Sequence, residues 1–183
     1  MTDASAQPIE GRFGTVEDPD RRGDLFAGSS HGTPSESEAA AIVETMSRFA
    51  CDGFVMTSSF EGDRAGTRAL SVQPAATQPL LVCVAVRKGH AIEPLIRDSR
   101  VFGLCLTDPG DRLLSRKFPI GGEPAGADEV DVFDSLATFE MRTKAPLLDR
   151  SPLVLDCEVV RHFDLEADHE LYVGLVLGGR SLL

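Results

Sequence analysis

Residues 80–86 read Leu-Leu-Val-Cys-Val-Ala-Val, and residues 101–106 read Val-Phe-Gly-Leu-Cys-Leu. Each is a short, unbroken apolar run, the pattern of a strand buried on both faces. Between them, residues 92–98 predict a short helix, with Pro94 in its first turn, where a missing N–H is tolerated. Two buried strands joined through a short helix set the character of the chain. From residue 54 onward, many short elements follow one another.

Working outward, residues 54–60 (Phe-Val-Met-Thr-Ser-Ser-Phe) predict a strand that runs into Glu61-Gly62-Asp63, a hairpin-type turn. Residues 66–72 are expected to return antiparallel as one strand. Arg112, Leu113, Leu114, Lys117 and Phe118 predict a second short helix, residues 121–128 a surface loop, and residues 130–136 a helical turn. Leu153, Leu155, Cys157 and Val159 alternate with Val154, Asp156, Glu158 and Val160, which predicts a half-exposed strand. A turn at Ala167-Asp168-His169 then leads into a last strand over 171–177. At the other end, Thr33-Pro34-Ser35-Glu36 has the composition of a helix start, and Ser35 with Glu38 repeats the signal. Ile42, Val43, Met46, Phe49 and Ala50 continue at helical spacing up to Cys51-Asp52-Gly53. Residues 1–33 are polar, with scattered apolar side chains, and are expected to form a disordered tail. Residues 34–183 are expected to form one domain, mainly β with short helices, as an antiparallel barrel or sandwich.

Composition narrows the function. The chain has 183 residues, 42% of them hydrophobic, with 17 Gly, 11 Pro, one Tyr and no Trp. Twenty-nine acidic against 18 basic residues give a net charge of −11. Such a balance argues against nucleic acid and anionic membrane as partners, since both need a basic face. Cys51, Cys83, Cys105 and Cys157 lack paired spacing, so they are expected to be reduced core thiols with no metal site. The N-terminus has neither a basic n-region nor an apolar h-region, and a cytoplasmic location is expected.

Six segments, in order, resemble the flavin reductase-like family of FMN-binding split barrels. They are 46–58, Pro79-Leu80-Leu81-Val82-Cys83-Val84, 96–106, Leu113-Leu114-Ser115-Arg116-Lys117-Phe118, Ala145-Pro146-Leu147-Leu148 with 155–160, and 168–176. The resemblance implies a split β-barrel that forms a homodimer, with FMN or FAD near the subunit interface. It implies NAD(P)H as the electron donor and a flavin-dependent monooxygenase as a partner.

The resemblance also implies site positions. The family's hydroxyl-rich stretch, which holds the flavin, falls on Arg68, Ala69, Leu70 and Ser71, where only Ser71 keeps a hydroxyl. Arg87, Lys88 and His90, in the Arg87-Lys88-Gly89-His90 loop ahead of a helix, fall where the family binds the flavin phosphate. Arg116 and Lys117 match another phosphate-reaching position, and His169 matches a histidine beside the flavin or nicotinamide. Plainer roles stand beside each of these: a solvated basic loop, cations favoured by a helix C-terminus, a turn histidine and a strand-surface arginine. The family's closing aromatic segment is expected to be missing after Arg180-Ser181-Leu182-Leu183. Two functions therefore remain open. One is an NAD(P)H-dependent flavin reductase. The other is a repurposed split barrel that binds a ligand, or acts as a cyclase, without reductase activity.

Overall fold

The computed structural model describes residues 53–120 and 131–182, together with 35–38, 40 and 42. The tail over 1–33 and most of the first helix lie outside the described residues. At its start, the later of the two helix-start signals is used: Ser35 N donates to Glu38 Oε2 at 2.8 Å, and Glu38 N to Ser35 Oγ at 3.4 Å. That reciprocal pair is a capping box.

The main body is one seven-stranded antiparallel sheet. It comprises β1 (Phe54–Phe60), β2 (Asp63–Arg68), β3 (Ser71–Thr77), β4 (Leu80–Arg87), β5 (Val101–Leu106), β8 (Leu153–Asp164) and β9 (His169–Ser181), in the spatial order β2-β1-β5-β8-β9-β4-β3. Helix α1 (Ile92–Ser99) joins β4 to β5, and α2 (Arg112–Lys117) follows β5. Two short strands, β6 (Thr138–Phe139) and β7 (Leu147–Leu148), pair apart from the main sheet. Two residues carry no hydrophobic period, so neither strand was legible in the sequence.

The strand expected over 66–72 is two strands. Ala69 N donates to Phe54 O at 3.0 Å, and Leu70 N donates to Ala85 O at 2.8 Å. Within two residues the chain leaves its pairing with β1 and begins pairing with β4, the opposite side of the sheet. The two ends of the sheet therefore converge at Ala69–Leu70, which gives the barrel its closure point.

The sheet carries a core on each face. Inside, Met56, Val82, Val84, Val86, Phe102, Leu104 and Val159 pack against Ile92 and Ile96 of α1. Outside, Val55, Cys105 and Val154 pack against Leu114, Phe118, Phe133, Leu147 and Leu148. Covering β5 on both faces accounts for its unbroken apolar run. Close approach is essential at Gly174, where a Cβ would clash with Cζ and Cε1 at the edge of the Phe102 ring, and at Gly103, where it would lie 2.6 Å from Leu147 and from the Thr57 hydroxyl.

Three expectations are corrected. β4 is not fully buried: Val82, Val84 and Val86 face the inner core, while Leu80 is exposed and Leu81 and Cys83 are half-buried. Cys83 is thus not a core thiol, whereas Cys105 and Cys157 are buried and Cys51 lies outside the described residues. Burial in β8 changes face beside a register shift between Asp156 and Cys157, so the strand is not half-exposed with one buried phase. Before it, Val154 and Asp156 are buried. After it, the buried positions are Cys157 and Val159, on the opposite face, which packs with Leu155 into the inner core; the strand passes from outer to inner cover, and the extra residue at the shift is Leu177 of β9. Among the described residues, no helix is long and apolar enough to cross a membrane.

Candidate functional site

The closure point sits beside the loop after β4 and the turn before β9. Register places Arg87 opposite His169, and Lys88 N donates to Asp168 O at 2.9 Å, tying loop to turn. Together with Pro119 and Ile120, just after α2, these elements enclose a cavity of about 380 Å³. That volume falls in the ~300–1,000 Å³ range of small-molecule sites.

The cavity has two chemical halves. Arg87, His90, Asp168 and His169 supply the polar one. His169 Nδ1 lies 2.9 Å from Asp168 Oδ1, and this hydrogen bond holds the Asp168 carboxyl below the usual carboxylate range, with smaller help from the charges of His169 and Arg87. Leu70, Pro119 and Ile120 supply the apolar half. Leu70 is 55% exposed and Ile120 74% exposed, so two large aliphatic side chains meet solvent at the cavity. A ligand with a flat apolar body could cover them and gain from the burial.

Of the ten site residues drawn from the sequence, Arg68, Ala69, Leu70, Arg87, His90 and His169 line this cavity. Ser71 is half-buried in β3, opposite Ala85. Lys88 forms an ion pair with Asp164. Arg116 is exposed on α2, and Lys117 Nζ donates to Val132 O at 2.9 Å. These four stand outside the cavity lining.

The hydrogen-bond inventory alters how the site would hold a ligand. Arg68 Nη1 donates to Thr107 Oγ1 at 2.6 Å and Nε to Phe118 O at 3.2 Å, so this guanidinium braces the end of α2. The amides of Ala69 and Leu70 serve the sheet closure described above. In the basic loop, the Gly89 and His90 amides both donate to Glu93 Oε1, the latter at 3.2 Å. An internal carboxylate thus takes the place expected for a phosphate. Thr67, Pro119, Ile120 and Asp168 line the cavity and were not anticipated as site residues. Asp168 could have been found as the acidic neighbour of His169; Pro119 and Ile120 sit in a stretch with no periodic signal.

The family model described as "Flavin reductase like domain" matches residues 46–181. The chain belongs to this family, as a divergent member. The fold is that of several solved structures. A putative flavin reductase from Haemophilus somnus 129PT superposes with a TM-score of 0.68 at 17% identity, covering 79% of this chain and 88% of that one. The NADH:FAD oxidoreductase SgcE6 of Streptomyces globisporus C-1027 gives 0.67 at 19% identity, covering 81% and 86%. A homologue of nitrilotriacetate monooxygenase component B from Mycobacterium thermoresistibile gives 0.64 at 24% identity, covering 78% of each chain. Among curated proteins, no sequence matches this chain.

Proposed function

We propose that this protein is an NAD(P)H-dependent flavin reductase whose flavin, FMN or FAD, lies in the cavity at the closure point. One observation carries the reading: a cavity of about 380 Å³ joins exposed Leu70 and Ile120 to a polar end holding Arg87, His90 and His169. This arrangement fits a planar ring system with an anionic tail. Leu70, Pro119 and Ile120 would pack against the ring, and Arg87 with His90 would face the phosphate. The ring would rest on apolar side chains more than on hydrogen bonds, because the Ala69 and Leu70 amides serve the sheet. His169, oriented by Asp168, would stand on the nicotinamide side. Bound flavin supplies the hydride-accepting chemistry, and the protein's part is to position and to exclude water.

We also read residues 34–183 as the functional unit, acting as a cytoplasmic homodimer that passes reduced flavin to a monooxygenase. The test is NADH and NADPH oxidation by the purified protein with FMN or FAD added. Turnover above background with either flavin is the expected result; none with both would overturn the reading. Sedimentation tests the dimer separately, and a monomer at working concentration would remove it.

A second reading rests on the same hydrogen bonds. With Arg68 bracing α2 and Glu93 filling the loop amides, a cavity that binds a planar ligand without reducing flavin is favoured if the protein takes up FMN but NADH leaves its spectrum unchanged.

A further inference from the structure

A separate cavity of about 280 Å³ lies between α1 and the β8–β9 hairpin, sharing no lining residue with the one above. Its floor is a buried polar group. Tyr172 OH donates to Glu170 Oε2 at 3.2 Å, and His162 Nε2 contacts the same oxygen. The His162 and Tyr172 rings stack at 4.6 Å, 18° from parallel. Glu170 is 7% exposed. Among the described residues, no hydrogen bond reaches its second oxygen, Oε1. Glu93, on the opposite wall, is in the same position: Oε1 receives both loop amides, and among the described residues no hydrogen bond reaches Oε2. Both carboxylates act on the Tyr172 phenol, whose pKa rises through burial first and through these charges next.

The opposite sign is present as well. Arg100 closes α1 at φ 61°, a left-handed position normally given to glycine. Its Nη2 donates to Val159 O at 3.2 Å, and among the described residues Nε and Nη1 make no hydrogen bond. Arg97, beside it, is already bonded twice to Asp98. A simple anion entering this cavity would meet Glu93 and Glu170. A simple cation would meet the guanidinium of Arg100. The groups left over match a ligand that carries both charges, and Pro94, Ile96 and Val159 offer an apolar wall for its side chain.

We propose that this cavity is a second ligand site, for a small zwitterion of the α-amino-acid type. Arg100 takes the carboxylate, and Glu93 with Glu170 takes the ammonium. The pairings are charge-assisted hydrogen bonds of the strong kind. The site stands on its own lining and does not depend on the flavin reading.

Calorimetric titration of the full chain with L-leucine tests it, with L-leucinamide and N-acetyl-L-leucine as probes that each keep one charge. L-Leucine is expected to bind saturably, one per chain, and each single-charge probe at least about tenfold more weakly, the loss due to one charged hydrogen bond. Arg100→Gly is expected to abolish binding while melting at the same temperature or higher, since glycine suits that backbone. Glu170→Gln keeps the shape and is expected to weaken L-leucine but not N-acetyl-L-leucine. No saturable heat from L-leucine would overturn the proposal. So would equal binding of either single-charge probe, unchanged binding by Arg100→Gly, or displacement by FMN, which would put the ligand in the first cavity.

Discussion

Arg68 shows how a single residue can be conspicuous in sequence while its partners stay hidden. It stands out as a charge where the family's pattern has hydroxyls. Its partners, Thr107 and Phe118, lie 39 and 50 residues away, beyond the reach of any local pattern. Thr107 in turn donates to Gly53 O at 2.8 Å, so one guanidinium links β2, the end of β5, the end of α2 and the residue before β1. Arg68→Ala should destabilise the fold by about 1–2 kcal/mol in urea unfolding, because hydrogen bonds from a charged donor are lost at a half-buried site. Arg68→Lys should recover only part of this, since an ammonium cannot reproduce the planar fork. The position of His169 at the cavity was easier to read, because a family position marked it and the turn before β9 brings it there.

At the scale of elements, β1, β4, β5, both short helices and the β8–β9 pair were legible because hydrophobic runs and turn residues agreed. Two features were not. The crossing at Ala69–Leu70 carries no glycine or proline to mark it, and the change of buried face in β8 is hidden because apolar residues occupy both phases of that strand. The inner core meets the sheet most closely at Gly174, under Phe102. Gly174→Ala should therefore cost about 1–3 kcal/mol by overpacking, read as a lower urea midpoint with an unchanged slope. Gly103→Ala, pressed between Leu147 and Thr57, should behave alike. Full stability in both variants would mean that the core relaxes more easily than its packing suggests.

For the whole molecule, the two-sided core sets the response to pH. Burial pushes the Cys105 thiol up to about 12, and burial followed by the nearby Asp156 charge pushes Cys157 up to about 12. Both folded values lie above the ordinary thiol value of 9.0. Their contribution is complete below about pH 9 and is lost as pH rises toward about 12, because the unfolded chain releases those protons first. Each thiol should add about 1.4 kcal/mol of lost stability per pH unit in that window. The Cys105→Ala/Cys157→Ala double variant should show a correspondingly shallower alkaline decline, by urea unfolding across the pH series. The barrel's split has a further consequence, for behaviour in crowded solution. Strand β3 ends the sheet and carries the exposed Pro74, followed by a register shift before Ala76. A proline has no N–H to offer a neighbouring chain, and an irregular strand is a poor template. Pro74→Thr should leave the melting temperature nearly unchanged yet raise light scattering at high concentration, because a regular, unguarded strand would then invite stacking of one molecule on the next.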